Sequence, residues 1–161
     1  MVAETELIED DDILLRRIPD FQVTPSPADP PWRVSSQDWD DPHKGAPSVY
    51  CERLLLELGL DWRDVLDGYP AHSLAVIYAG QVRHIWDDSD AGFSLDVMHR
   101  PDPNDSHPRA QAHCEITGLP ATSHQRKKAK KPLARQSRLV VVKTDSRRPT
   151  ALTWAEPGYE I

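Results

Sequence analysis

The sequence predicts an α+β fold: a single small domain with a mostly antiparallel sheet, two or three short helices and a long proline-rich loop. Short apolar, partly β-branched runs mix irregularly with short helical patterns, without the strict strand–helix alternation of a parallel sheet. A chain of 161 residues suits one core, because folding at this length buries about 68–70% of the unfolded surface. Seven of the 15 prolines fall between Pro19 and Pro47, where regular structure is interrupted.

Residues 1–12 carry six acids and no base, and with little to bury they are expected to form an acidic mobile tail. Ile13 to Pro19, ILLRRIP, reads as a first strand that proline ends. The proline-rich excursion 19–47 can order only through Trp32, Val34 and Trp39. From Ser48 the chain reads first as strand and then as helix, with Leu54, Leu55 and Leu58 on one side and Gly59 as the C-cap. Asp61 is the N-cap of a second short helix presenting Trp62, Val65 and Leu66 and closed by Gly68.

Leu74 to Tyr78 is a continuous apolar run suited to a buried strand, and a following helix would present Val82, Ile85 and Trp86. After an acidic turn at Asp87 to Asp90, Phe93, Leu95 and Val97 alternate with Ser94, Asp96 and Met98 at the period of a half-buried strand. A turn-rich loop, PDPNDSHP, precedes RAQAHCEITG, in which His113 and Glu115 share one strand face and Cys114 and Ile116 the other. A basic helix starts near Ser123, limited in length by Pro132, with its lysines placed around much of its circumference. RLVVVKT from Arg138 closes the sheet. The domain is therefore placed at residues 13–145, with 146–161 as a C-terminal tail.

Composition narrows the function classes. A net charge of −7 argues against wholesale nucleic-acid binding, yet Arg126 to Arg138 holds seven bases and no acid. Cys51 and Cys114 lack a CxxC partner and no secretory leader is seen, so a reducing, cytoplasmic setting is expected. The longest apolar run, Leu74 to Ala79, falls far short of the roughly 20 residues a membrane-spanning helix needs.

His113, Cys114 and Glu115 form the densest cluster of reactive residue types. A carboxylate beside an imidazole can orient it and raise its basicity. His-x-Glu is also the spacing of zinc nucleoside deaminases, but those need a downstream Pro-Cys-x-x-Cys, and no cysteine follows Cys114. His99, His107, His113 and His124 lack the ligand spacing of a strong zinc site, so no metal is assigned. The plain alternative for the cluster is an ordinary edge strand with one polar face. There is no phosphate-cradling glycine loop, no nucleophile elbow and no zincin array.

Several stretches together, LLRRIP, SSQDWDD followed by APSVY, DVLDGYPAHSLAVIYAGQVR, and AHCEITG before a lysine-rich segment, resemble a widespread family of small bacterial proteins usually called hypothetical. The resemblance spans about residues 14 to 142, and Arg17, Ser48, Arg83 and His113 match its pattern. Trp39 stands where that pattern has phenylalanine, and the proline-rich insert is longer here. The family has no established activity, so the resemblance implies a coherent fold and no particular chemistry.

Two function classes follow. The first is a non-catalytic interaction or accessory component of a bacterial multi-gene system, such as a phage-defence or conflict locus. It would bind another protein of the system through Trp32, Trp39 and Trp86, because buried aromatics anchor interfaces. The second is an enzyme resembling ADP-ribosyltransferases, in which Arg17, Ser48 or Tyr50, and Glu115 occur in the family's order and His113 joins the site. Arg17 would clamp the phosphates of NAD and Glu115 would stabilise the ribosyl cation. No cofactor is implied outside that reading. A third alternative is a nucleic-acid-binding accessory, or a contact with an acidic partner, through Arg126, Lys127, Lys128, Lys130, Lys131 and Arg135.

Overall fold

A computed structural model describes residues 5–19, 24–25, 32–34, 39, 46–85, 94–120 and 122–141. In chain order the strands and helices are β1 (Ile13–Pro19), β2 (Thr24–Pro25), β3 (Trp32–Arg33), β4 (Ser48–Cys51), α1 (Glu52–Glu57), α2 (Trp62–Leu66), β5 (His72–Tyr78), α3 (Ala79–His84), β6 (Asp96–His99), a 3₁₀ turn (Pro108–Ala112), β7 (His113–Thr117), α4 (Ser123–Gln136) and β8 (Arg138–Val141). Six strands form one sheet in the order β6-β7-β4-β1-β5-β8, and β2 and β3 pair separately. Every pairing in the large sheet is antiparallel, as expected for this α+β chain.

β1 lies inside the sheet between β4 and β5, with apolar residues on both of its faces. Leu14, Leu15 and Ile18 are fully buried, and it pairs along its whole length with β5, from Ile13 opposite Tyr78 to Pro19 opposite His72. β4 and β5 flank β1 and both run against it, so they run parallel to one another. Their connection carries α1 and α2.

Local chemistry sets the helix limits. Asp61 accepts from the Arg63 N–H and Asp64 accepts from the Asp61 N–H, a reciprocal cap at the start of α2. Gly59 and Gly68 follow the two helices in left-handed backbone, with φ of +76° and +80°. Leu54 and Leu55 are buried, but Leu58, expected beside them, is exposed because α1 ends at Glu57 and Leu58 is already its cap. Leu95 and Val97 turn inward while Ser94, Asp96 and Met98 face solvent, as their alternation predicts. Phe93, the turn Asp87 to Asp90 and the segment 145–161 lie outside the described residues.

Three expectations are corrected. First, residues 5–12, expected to have little to bury, pack against the domain. Ile8 is buried, the Asp12 carbonyl accepts from the Ala79 N–H and the Asp10 carbonyl from the Gly80 N–H. Their acids pair locally: Asp12 with Arg53, and Asp10 with Arg83 and His84, so this acidity is spent on α1 and α3 and none of these pairs involves the basic helix. Second, β7 is an interior strand between β6 and β4, since β6 supplies the edge. Third, α4 runs on through Pro132 to Gln136, its packed side held by buried Ala129, Leu133 and Ala134.

The β6 edge is closed by side chains. Asp96 Oδ1 accepts from the Val97 N–H at 2.7 Å, and Arg83, itself paired with Asp96, reaches the Val97 carbonyl. A strand approaching this edge meets charge where it needs backbone partners. His99 binds the N-terminal segment to the sheet: Nδ1 accepts from the Glu6 N–H at 2.8 Å and Nε2 lies 2.6 Å from the Gln111 carbonyl, a pattern the neutral ring with hydrogen on Nε2 satisfies.

The fit of the N-terminal segment over α3 is tight at Gly80, where an added Cβ would lie 2.9 Å from the Asp10 carbonyl oxygen. In a free helix Gly→Ala is stabilising by about 1 kcal/mol. Here Gly80→Ala should destabilise by about 1–2 kcal/mol in urea unfolding, because the segment must lift away. Faster hydrogen exchange at Ala79 is expected alongside. A net stabilisation would show that residues 5–12 do not press on α3.

Candidate functional site

Strand alternation sends Arg16 and Arg17 to opposite faces of the sheet. The register then sets each one's neighbours: Leu15 lies opposite Tyr50, Tyr50 opposite His113, and Ser48 opposite Glu115. Arg17, Ser48, Tyr50, His113 and Glu115 therefore occupy one face. β1 and β7 are separated by β4 alone, about 10 Å at ordinary strand spacing.

The side chains on this face are committed to different neighbours. The Arg17 guanidinium donates to the Val65 carbonyl at 3.0 Å and lies 3.7 Å from the centre of the Tyr69 ring and 5.2 Å from that of Tyr50. Glu115 pairs at 2.8 Å with Arg100 on the other side of β7. His113 is buried, with Nδ1 2.6 Å from the Arg100 carbonyl and its ring edge-on to Tyr50 at 5.5 Å. The expected polar face of β7 is thus covered at His113. Ser48 lends its carbonyl to Arg16, whose guanidinium lies 5.1 Å from the Trp39 ring on the opposite face.

Arg109 completes the cluster from the 3₁₀ turn, and it was not singled out from the sequence. Only 6% exposed, it donates from Nε to Asp105 at 2.8 Å and from Nη1 to the Asp64 and Asp67 carbonyls at 2.9 and 2.6 Å. It therefore clamps the loop before β7 onto the carboxyl end of α2, where a cation is favoured. Tyr69, flanked by the Arg17 and Arg109 guanidiniums, was missed as well. The signal for Arg109 was present in DSHPR: Asp105 accepts from the His107 N–H, and His107 Nδ1 from the Arg109 N–H, successive turn caps that aim the arginine.

Burial pushes the Tyr50 phenol above its ordinary 10.0, against the charges of Arg17 and Arg109. Burial also raises Cys51 to about 11 and drives Cys114 higher still. Both thiols remain protonated at neutral pH, the inert state of a buried cysteine. Among the described residues no group of three or more His, Cys, Asp and Glu is placed to hold a metal ion, and no helix is long and apolar enough to cross a membrane.

The residues expected at a partner surface divide differently. Trp39 is fully buried, so it serves packing and cannot anchor a partner. Trp86 and the side chain of Trp32 lie outside the described residues. The apolar side chains that do reach solvent include Leu7, 71% exposed, and Leu56, 59% exposed. Both adjoin Arg53, which donates to the Leu7 carbonyl at 2.9 Å. Leu56 lines an open groove of about 420 Å³ together with Asp11, Asp12, Ile13, Glu52, Arg53 and Glu57. Glu52 is partly buried there, and burial raises its pKa. No hydrogen bond or ion pair engages it among the described residues.

The bases of α4 lie around more than half of the helix, as expected, but burial divides them. Lys130 is buried, 7% exposed, and Arg126 is partly buried, whereas Lys127, Lys128, Lys131 and Arg135 are exposed. At 3.6 residues per turn these four span an arc of about 100°.

Acidification should weaken the Arg109 clamp. Burial by itself raises the Asp105 carboxyl, but the Arg109 hydrogen bond, the His107 N–H and the charges of Arg109 and Arg17 outweigh it and hold the pKa below 3.8. A lowered folded pKa contributes stability above the unfolded value, and that stability is lost as pH falls through the folded one. Arg109→Met should cost about 2–4 kcal/mol in urea at pH 7, since it strands a carboxylate and two carbonyls. The difference from the parent protein should shrink below about pH 4. A gap that persists undiminished at low pH would mean Arg109 acts by packing alone. None of the family models, curated proteins or solved structures compared with the chain matches it.

Proposed function

We propose that the chain is a non-catalytic interaction module, an accessory component that docks on a basic, amphipathic segment of a partner protein. One contrast carries this reading. Polar groups suited to catalysis, Arg17, His113 and Glu115, are occupied in joining strands, loops and α2, while exposed Leu56 lines a groove with half-buried Glu52, which is unpaired among the described residues, and exposed Leu7 is tied through its carbonyl to the groove's Arg53. A monomer gains nothing from desolvating an unpaired carboxylate, and a lysine or arginine from a partner would offset that cost. Asp11 and Glu57 on the same groove add attraction for a basic segment.

The test begins with tagged capture from the native host after nuclease treatment, at low and high salt. It is decided with the purified chain and the purified protein recovered. A one-to-one complex that survives salt, weakened at least about tenfold (roughly 1.4 kcal/mol) by Leu7→Asp with Leu56→Asp, supports the reading. Both leucines are exposed, so the fold should be unaltered. A complex indifferent to these changes and to Glu52→Lys sinks the groove as the docking site. If no protein complex forms and NAD binds with heat that Glu115→Ala abolishes, the transferase reading replaces it.

A further inference from the structure

Among the described residues, the exposed cations of α4 differ from several other exposed or half-exposed bases. Arg53, Arg63, Arg83 and Arg100 each pair with a carboxylate. Lys127, Lys128, Lys131 and Arg135 make no hydrogen bond or ion pair among the described residues. The chain has no acid between Glu115 and Asp145, so nothing within the helix or its flanking sequence neutralises them. The opposite side of α4 is fixed by buried Ala129 and Leu133, and that packing settles which side faces outward.

We propose that this stripe docks on the phosphate backbone of duplex nucleic acid without reading its sequence. From Lys127 to Arg135 the stripe is about 12 Å long at 1.5 Å per residue. One strand of B-DNA presents a charge about every 3.4 Å along the axis, so three or four phosphates fall within that reach. A duplex fits better than a single strand because α4 has no Phe, Tyr or Trp on which an unpaired base could stack. The net charge of −7 does not forbid the contact, since charges more than about 8–10 Å away are largely screened at physiological salt. Lys130 and Arg126, being buried and partly buried, take no part.

The test measures fluorescence anisotropy of labelled 20-base-pair duplexes of two unrelated sequences against the full chain between 50 and 200 mM salt. Four phosphate contacts imply a slope of log K on log salt of about −3.6, which is about a 150-fold loss of affinity over that range. The two sequences should bind alike. Lys127→Gln with Lys131→Gln and Arg135→Gln should bring the slope to about −0.9 while leaving the circular dichroism unchanged. Arg63→Gln, on α2, should change neither slope nor affinity. Absence of binding at 50 mM salt, a slope the triple change leaves intact, or preference for single strands would each overturn the proposal. Because the chain is assayed alone with nucleic acid, these outcomes are separate from those of the groove.

Discussion

Two consecutive arginines in the innermost apolar strand impose the constraint on which the surrounding structure depends. Alternation along β1 forces Arg16 and Arg17 onto opposite faces, and each guanidinium must leave water as the sheet is covered. The two faces meet the demand in the same way, with an aromatic ring and a backbone carbonyl. Trp39 and the Ser48 carbonyl serve Arg16, and Tyr69, Tyr50 and the Val65 carbonyl serve Arg17. The delocalised guanidinium suits this role because it is weakly hydrated and stacks on rings, which a lysine does poorly. Placement of α2, with its carboxyl end beside β1, and of Trp39 in the core both follow from this need.

The same device recurs at the periphery. Arg53 reaches the Leu7 carbonyl, Arg83 the Val97 carbonyl, and Arg109 two carbonyls at the end of α2. α1, α2 and α3 are only five or six residues long, so few of their backbone groups find partners within the helix. Arginines from distant segments supply some of those partners and join segments far apart in the chain. Long-range polar ties of this kind compensate for helices too short to contribute much packing of their own.

This economy also separates architecture from function. Charged groups tied to carboxylates and carbonyls hold the molecule together. Among the described residues, groups without such ties include Glu52, beside the exposed Leu56, and Lys127, Lys128, Lys131 and Arg135 of α4. The first is acidic and apolar and the second strongly basic, so the two surfaces suit partners of opposite charge. Net charge averages these surfaces and describes neither of them.

Much of the fold was legible before folding. Period-two alternation marked β6, the apolar runs marked β1 and β5, and Asp61, Gly59 and Gly68 marked helix limits, because each signal is carried by a few adjacent residues obeying local sterics and hydrogen bonding. The site was far less legible. Arg17 and Glu115 share a face only because β4 lies between their strands, and Arg109 joins Tyr69 only because the loop before β7 folds back on α2. The docking of residues 5–12 was invisible for a related reason. Six acids within the first twelve residues read as solvated until Arg53, Arg83 and the amides of Ala79 and Gly80, from 41 to 73 residues away, are brought to them. The outward side of α4 likewise followed from which of its residues found a core to bury in. Local patterns specify elements, whereas contacts between remote segments depend on topology, and topology decides which charges are neutralised and which remain for a partner.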